Sequence, residues 1–294
     1  MTALVEGLLR GVGVGSGYAL LALGFVIIYK ATRVISFAQP ALMLAGVVLV
    51  SHLAEPLGFW LALPLAALLT ALLALGIERG AVRPMVGRPA FVVAIITLGV
   101  DVAVRVVVNA FIGLDVRSVH DPWGLSTVQF GPLRVEQRHI AAFVAATLLV
   151  AALFAFFRRS RMGLAMRAAA DDQEAALAQG VSVGAVFALS WALAGALAAV
   201  GGTFAAAGGS FDGTLWLTAL VALPVIILGG LDSLPGAVVG GLAVGVAQEL
   251  AATYQNHAPW LGGNVSVITP YVLMLLVLLV RPYGLFGTRE VERV

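Results

Sequence analysis

The 294-residue sequence has no cysteine and a single lysine, and charged residues make up only 11% of it. The absence of cysteine excludes disulfides, thiolate catalysis and cysteine-ligated metals. A nucleotide-binding P-loop needs a lysine directly after its second glycine, whereas Lys30 follows a tyrosine and precedes an alanine. We therefore expect no cofactor on this chain, and ATP binding of that kind would have to reside on another polypeptide.

Apolar residues dominate instead, at 61% of the chain with a mean hydropathy of +1.03. These values lie outside the range of soluble globular domains. Runs of the roughly 20 apolar residues that a helix needs to cross a bilayer recur along the whole length. The sequence predicts an all-α polytopic membrane protein, with residues 1–294 forming one transmembrane domain embedded in the lipid bilayer.

Nine membrane spans are predicted from the apolar runs. They lie near residues 5–29, 38–54, 57–77, 90–112, 139–157, 181–207, 215–230, 236–254 and 267–281. Glycine and proline interrupt the stretch 208–236, which contains GGS, Pro224 and LGGLDSLPGAVVGG. Such breaks predict a broken or re-entrant helix there, buried in protein. If this segment re-enters instead of crossing, the number of spans falls to eight.

The basic residues indicate the orientation. Most of the 17 fall at alternate breaks between spans, and cytoplasmic loops collect positive charge. The amino terminus is therefore predicted outside and the carboxyl terminus in the cytoplasm. The sequence pI of about 9.3 reflects these loop arginines and not a nucleic-acid surface. The residues at these breaks are Lys30, Arg33, Arg79, Arg83, Arg88, Arg158, Arg159, Arg161, Arg167, Arg281, Arg289 and Arg293.

A polar stripe crosses the fourth predicted span. Its members are four residues apart and so share one helix face. A charge at the bilayer centre costs about 2.5–3.5 kcal/mol on insertion scales, so the stripe should face the bundle interior or a water-filled cavity. Two interpretations stay open: a wall of a translocation path, or an ion pair that fixes this helix against a neighbour. The stripe consists of Thr97, Asp101, Arg105 and Asn109, with Asp101 and Arg105 paired.

The stretch RAAADDQEAALAQG, residues 167–180, lies within a predicted cytoplasmic segment over residues 158–181. Asp171 and Glu174 have the spacing of a capping box, and Gly180 suits the carboxyl-terminal cap. They predict a two-turn helix between two short linkers, too short to be stable alone. Interfacial helices carry Lys and Arg on their polar face, whereas this one is acidic. We therefore expect it to dock on a protein partner.

Five stretches, in order, resemble the permeases of branched-chain amino acid ABC importers, and the resemblance covers nearly the whole chain. GYALLALGFVIIYKATRVISFAQPALMLAG resembles the family's opening, and GIERGAVRPMVG its Glu-Arg and Arg-Pro loop. RMGLAMRAAADDQEAALAQGVSV resembles its coupling segment. LGGLDSLPGAVVGGLAVG and RPYGLFG resemble its Gly-Ser-x-Pro-Gly-Ala and terminal Pro-x-Gly-x-x-Gly stretches.

The resemblance implies an importer subunit in the bacterial inner membrane, paired with a second, related permease. It also implies two cytoplasmic ATPases and an extracytoplasmic substrate-binding protein as partners, and a helix that inserts into a groove on the ATPase. Substrate would pass by alternating access without chemistry. On the match, the coupling residues are Asp171, Asp172, Gln173, Glu174, Ala175, Ala176 and Gly180.

The chain departs from the family pattern at two places where substrate would pass. Ser36-Phe37-Ala38-Gln39-Pro40 stands where the family has Asn-Phe-Ala-His-Gly, and the fourth span carries charges in place of neutral polar residues. Urea, short amides and other small organic acids therefore stay open beside branched-chain or other small hydrophobic amino acids. The candidate path residues are Ser36, Phe37, Gln39, Thr97, Asp101, Arg105 and Asn109.

Two other classes of protein share some of these features. A gradient-driven secondary transporter would suit the broken helices, but it has no use for a coupling helix. An intramembrane protease is disfavoured because Val14, not glycine, stands two before Ser16, and Leu231 stands before Asp232. Histidine spacing predicts no metal site, and four histidines are expected in solvated positions near the outer ends of spans. These are His52, His120, His139 and His257.

Overall fold

The computed structural model describes residues 2–85, 87–113, 116–255 and 264–288. Helices account for most of them, and the strands are short. The helices are α1 Thr2–Thr32, α2 Gln39–Leu57, α3 Phe59–Ile77, α4 Ala90–Ile112, α5 Gln137–Arg159, α6 Arg161–Asp171, α7 Gln173–Ala178, α8 Val183–Ala206, α9 Leu217–Leu220, α10 Ala222–Gly229, α11 Leu234–Tyr254 and α12 Val265–Val280. The strands are β1 Arg117–Ser118, β2 Thr127–Phe130, β3 Leu133–Glu136 and β4 Ser210–Phe211.

The predicted all-α polytopic fold is confirmed. Within the described residues, seven helices are long and apolar enough to cross a membrane: α1, α2, α3 with its extension to Met85, α4, α5, α8 and α11. Two shorter apolar helices occupy the remaining predicted spans, at Leu217–Gly229 and Val265–Val280. The third predicted span ends too early, because a π-helical turn at Glu78–Val82 and a 3-10 turn at Arg83–Met85 continue α3.

The predicted break near residues 208–236 is also confirmed. Strand β4 begins this region, and the apolar stretch after it divides at Val221 into α9 and α10. Together α9 and α10 extend about 20 Å at 1.5 Å per residue, less than the bilayer's hydrocarbon thickness of about 30 Å. The carbonyl groups that end α10 are bonded within the protein, since Leu285 N–H donates to Leu228 O (2.8 Å) and Phe286 N–H to Gly229 O (3.0 Å).

The bundle has two distinct ends. The β end holds the strands and the start of α1, because Arg134 N–H at the β2–β3 hairpin donates to the Glu6 carboxylate over 2.8 Å. Strand β1 pairs there with β4, with Arg117 opposite Phe211. The α7 end holds α6, α7 and the end of α1. Thr288 also lies at the α7 end, where it bonds Asp232, so the first and last described residues lie at opposite ends.

Helix α1 lies at the centre and packs against α11, α8, α5 and α10. Glycines bring α1 and the antiparallel α11 into backbone contact. A Cβ atom added at Gly11 would lie 2.5 Å from Val246 Cα, and one at Gly15 would lie 2.7 Å from Gly241 O. Small residues at this spacing allow such close approach in membrane helices.

The outer helices expose their apolar faces. Only 22% of the apolar windows of α4 and α5 is buried within the chain, against 89% for α1. The apolar surface that remains must meet lipid or another membrane protein. Its largest exposed side chains on α4 include Phe91, Ile95, Val102, Val106 and Phe111.

Candidate functional site

Helix α7 begins at a capped aspartate. The Asp172 carboxylate accepts the N–H groups of Glu174 (2.9 Å) and Ala175 (3.0 Å). The capping-box prediction therefore placed the N-cap one residue too early, at Asp171. That residue is still helical and ends α6, whereas Asp172 has the extended backbone of an N-cap, with φ −152° and ψ 111°.

The predicted end of α7 at Gly180 is confirmed. Gly180 has φ +82°, the left-handed conformation that glycine adopts without steric cost. Its N–H donates to Leu177 O (2.9 Å), and Val181 N–H donates to Ala176 O (3.0 Å). These two bonds form a Schellman motif, so a six-residue helix is fixed at both ends.

The residues before α7 are a helix and not the predicted linker. Ser160 caps α6 by accepting Gly163 N–H over 2.8 Å. The stretch RMGLAMRAAA is rich in strong helix formers, and its helix propensity outweighs its position in a loop. Within the predicted segment 158–181, residues 158 and 159 still belong to α5, and α6 and α7 follow, joined by a kink at Asp172.

Two hydrogen bonds tie this kink to the end of α1. Gln173 Nε2 donates to Ala31 O over 2.9 Å, and Arg33 Nη2 donates to Ala170 O over 2.7 Å. The bonds attach α7 and the last turn of α6, respectively. The kink and the α1 end are therefore linked directly by side chains.

The exposed face of α7 differs from the predicted one. Ala176 is 4% exposed and packs inside the chain, so it cannot contact a partner directly. Leu177, which the sequence reading passed over, is 56% exposed. Leu177 is therefore the large apolar side chain that α7 presents at the surface. Gln173 is half-buried, whereas the remaining predicted coupling residues are exposed, namely Asp171, Asp172, Glu174, Ala175 and Gly180.

Helix α2 begins inside the bundle. After α1 ends at Thr32, Arg33 takes a left-handed φ of +57° and the chain turns back inward. Gln39, the first residue of α2, is fully buried; its Nε2 donates to Ala194 O over 3.2 Å and its amide packs on Gly24. Gly24 lies about 12 Å before the end of α1, at 1.5 Å per residue. The Ser36–Gln39 turn is therefore embedded within the bundle.

The polar stripe of α4 caps this embedded helix start. Thr97 Oγ1 accepts Phe37 N–H over 3.0 Å, and Asp101 Oδ1 accepts Ala41 N–H over 3.0 Å. The first N–H groups of any helix lack intrahelical partners, and a carboxylate there is favoured. Ala38, the N-cap residue of α2, supplies no side-chain cap. Asp101 supplies that cap from another helix.

The predicted pairing of Asp101 with Arg105 is confirmed. The Asp101 carboxylate lies 2.8 Å from Arg105 Nε and 2.6 Å from Nη2. The Arg105 guanidinium also stacks over Trp216, 3.9 Å from the ring centroid. This geometry is that of the second interpretation, in which an ion pair fixes α4 against its neighbours. Asn109 is exposed and lies beside Gly213.

Trp216 lies inside the predicted span 215–230, where hydropathy does not show its contact with Arg105; in the structure it directly precedes α9. Asp212 orders the loop before α9, as its Oδ1 accepts the N–H (2.8 Å) and Oγ1–H (2.6 Å) of Thr214. The Thr214 bonds stabilise the Asp212 carboxylate and lower its pKa.

The prediction of solvated histidines is wrong for His139. The His139 side chain is only 11% exposed, and its Nε2 lies 3.8 Å from Glu136 Oε2. The helix α5 begins at Gln137 and carries His139 against Gly13 of α1, a contact that hydropathy does not reveal. Among the residues described, no group of three His, Asp or Glu could hold a metal ion. His257 lies outside the described residues.

Comparison with known proteins identifies the family. Residues 7–279 match the branched-chain amino acid transport system permease component family. The chain belongs to this permease family. LivH of Salmonella typhimurium, a permease protein of a high-affinity branched-chain amino acid transport system, is 30% identical over 99% of this chain and 97% of its own length. BraD of Pseudomonas aeruginosa, named as a permease of the same kind of system, is 30% identical over 99% of this chain and 98% of its own length.

The resemblance predicted from the five stretches is thereby confirmed. A permease of this family with seven helices of spanning length in its described part is a multi-pass membrane protein. A solved structure, PsaBC from Streptococcus pneumoniae in complex with Fab, shares the fold with a TM-score of 0.51 at 13% identity. The alignment of the two structures covers 96% of this chain and 93% of the PsaBC chain.

Proposed function

We propose that this permease is the transmembrane subunit of an ATP-binding-cassette importer for branched-chain or other small hydrophobic amino acids. Alternating access would be coupled to two separate cytoplasmic ATPases, with a second related permease and an extracytoplasmic binding protein completing the assembly. Relatives named as permeases of high-affinity branched-chain amino acid systems support the substrate class. The observation that carries the coupling is α7, a helix capped at both ends that exposes Leu177.

The distribution of arginines supports the orientation. Basic residues concentrate at the α7 end, as expected for a cytoplasmic surface. We assign the α7 end to the cytoplasm and the β end to the outside of a bacterial inner membrane. The amino terminus is then outside and the carboxyl terminus inside. The described basic residues of the α7 end are Lys30, Arg33, Arg79, Arg83, Arg88, Arg158, Arg159, Arg161, Arg167 and Arg281.

Hydrogen bonds offer a route from the ATPase to the membrane interior. Closure of the ATPases would displace α7, and the bonds of Gln173 to Ala31 and Arg33 to Ala170 would pass this movement to the α1 end. From there only residues 33–38 separate α1 from α2. Thr97 bonds Phe37 within that short segment, and Asp101 bonds Ala41 in the first turn of α2. The Ser36–Gln39 turn, here called the embedded break, would thus shift relative to α4 during each cycle.

We place the translocation path beside this break, against the second permease. Apart from the exposed Asn109, its candidate residues are buried or half-buried in the single chain, so they would line the path only as α2 and α4 move apart. The candidates remain Ser36, Phe37, Gln39, Thr97, Asp101, Arg105 and Asn109.

A second candidate is transport of urea, short amides or other small organic acids. One observation favours it: the buried Gln39 Oε1 accepts no hydrogen bond from any described residue. An amide N–H group of a substrate would satisfy that acceptor. Uptake of labelled leucine and labelled urea by the same reconstituted assembly separates the two substrate classes.

Purification in mild detergent from the native host, followed by mass spectrometry, tests the proposed class. We expect a second permease and ATPase subunits to accompany this chain, and reconstituted uptake to require ATP. A chain that purifies alone and still transports in vesicles without ATP would overturn the proposal in favour of a gradient-driven transporter.

A further inference from the structure

A cavity of about 250 Å³ opens at the β end between α1, α5, α8 and α11. Its α1 wall follows one helix face for about 16 Å, since the lining residues are three or four apart at 1.5 Å per residue. These residues are Arg10, Gly13, Val14, Gly17, Tyr18 and Leu21. The cavity lies inside one chain, apart from the embedded break before α2.

Glycine creates part of this space. A Cβ atom at Gly17 would meet only Gly201 O, at 3.7 Å, which is an ordinary contact. Packing therefore does not require glycine at this position. A larger side chain at Gly17 would project into the cavity without displacing the backbone.

Two of the charged groups at the cavity mouth already have partners. Arg138 Nε lies 2.6 Å from Glu136 Oε2, and Arg138 Nη1 donates to Ala207 O over 2.8 Å. The bond to Ala207 joins the start of α5 to the end of α8. The charges of Arg138 and Glu136 therefore neutralise each other at the cavity mouth.

Arg10 and Glu249 are not committed in this way. Arg10 has only a long contact to Glu6, at 3.9 Å, and its side chain is 40% exposed, so it can be reached from the β end. Glu249 is half-buried on α11, and its carboxylate makes no hydrogen bond or ion pair with any residue that the structure describes. Ionisable groups within membrane helices are costly and face functional cavities. Arg10 and Glu249 thus line the same cavity from neighbouring helices, beside the Arg138–Glu136 pair.

Apolar side chains form one part of the cavity wall, beside the hydroxyl-bearing Tyr18 and Thr218, namely Val14, Leu21, Ala142 and Phe204. Opposite charges and apolar walls in one cavity suit a ligand with an ammonium group, a carboxylate and an aliphatic side chain.

We propose that this cavity binds a small zwitterion with an apolar side chain, with its ammonium group at Glu249 and its carboxylate at Arg10. The choice of a free amino acid over other zwitterions rests on the proposed function. The aliphatic side chain points toward Leu21 and Phe204. The site receives substrate at the β end, before the embedded break is reached.

Equilibrium binding of tritiated L-leucine to the full chain, purified in a detergent free of zwitterionic lipid, tests this site. Competition uses 4-methylpentanoate, which lacks the ammonium group, and 3-methylbutylamine, which lacks the carboxylate. We expect each analogue to bind about tenfold more weakly than leucine or worse, as the loss of one hydrogen bond to a charged group predicts. Glu249→Gln and Arg10→Gln should weaken leucine binding by a similar factor.

Matched controls separate these effects from general changes in charge. Glu55→Gln and Arg134→Gln remove exposed charges at the β end outside the cavity and should leave binding unchanged. Gly17→Val fills the cavity and should abolish binding while keeping all charges. Should that variant misfold on size-exclusion chromatography, the two charge variants still decide the result.

Three outcomes would overturn the assignment. They are no leucine binding by the wild-type chain up to the solubility limit, binding unaffected by both cavity charge variants, and losses equal to those of the controls. If glycerophosphoethanolamine displaced tritiated leucine at lower concentrations than unlabelled leucine does, the cavity would be assigned to a lipid headgroup instead of an amino acid. The assay needs no ATPase, so its result is independent of whether co-purification supports the importer.

Discussion

At the residue scale, one carboxylate joins three helices. Asp101 caps the start of α2, pairs with Arg105 of α4, and through that guanidinium meets Trp216 before α9. A buried ion pair alone is weak evidence for stability. The additional N–H of Ala41 changes the balance, because removal of the carboxylate leaves both a buried cation and an uncapped helix.

Asp101→Ala should lower the free energy of unfolding by about 3–5 kcal/mol, the cost of leaving one partner of a buried pair alone. The charge swap D101R/R105D should recover only part of this loss. Its ion pair is restored, but the new carboxylate lies one turn further from Ala41. Thermal unfolding of the purified chain in detergent measures both.

Asp101→Asn is the matched control, since its amide oxygen keeps an acceptor for Ala41 N–H while the charge is lost. A charge swap as stable as wild type would show that the cap of α2 contributes nothing. Equal stability of all four proteins would show that these groups lie in water.

At this scale, contacts between residues close along the chain could be predicted from the sequence. Asp101 and Arg105 are one helical turn apart, and Gly180 ends its own helix, so spacing alone predicted both. The Ala41 N–H and Trp216 were missed because each meets its partner only through tertiary packing. The N-cap was displaced by one residue because Asp171 and Asp172 are adjacent and equally suited to cap.

At the element scale, α7 is attached to the α1 end through Gln173 as well as exposed at the surface through Leu177. Hydropathy located the long apolar helices well, and the predicted span 90–112 coincides with α4. It missed α6, whose helical residues are not apolar enough to form a span. Hydropathy also missed that α2 starts inside the bundle, because a short turn has the same hydropathy whether it lies at the membrane surface or within the membrane.

Leu177→Asp should abolish ATPase binding and ATP-driven uptake without changing the thermal stability of the chain, because Leu177 faces away from the protein. Co-purification of ATPase and uptake in proteoliposomes measure the effect. Leu125→Asp, at a leucine 75% exposed at the β end, is the control and should retain both activities. Retained ATPase binding in Leu177→Asp would remove α7 from the interface.

Ala176→Trp should act differently. Ala176 is buried against its own chain, so overpacking there costs about 1–3 kcal/mol of stability. A lowered unfolding temperature before any ATPase is added would distinguish this internal effect from a lost docking contact. Unchanged stability would place Ala176 at the partner surface after all.

Gln173→Leu should separate ATPase binding from transport. The change keeps the side chain's size but removes its hydrogen bond to Ala31 O. The ATPase should still bind and hydrolyse ATP, while uptake per ATP falls. Gln179→Leu, an exposed change just beyond the same helix, is the control. Equal uptake per ATP in the two variants would show that this bond carries no movement.

At the scale of the whole molecule, the absence of cysteine becomes an experimental advantage. Any single introduced cysteine is the sole thiol in the chain. A membrane-impermeant maleimide should label Ser126→Cys at the β end in intact cells, and Gln179→Cys at the α7 end only after permeabilisation. The reverse pattern would invert the assigned orientation, and labelling of both in intact cells would contradict the separation of the two ends.

The contact between α1 and α11 has a mechanical consequence. From Gly11 to Gly15 their glycines bring backbone against backbone, and along this stretch no side chain separates the two helices to take up a change of distance. Close-packed elements of this kind move as units and do not deform continuously. We therefore expect α1 and α11 to turn together as a rigid post during transport. On that expectation the strain of each cycle would fall on the six residues between α1 and α2, which would serve as the hinge.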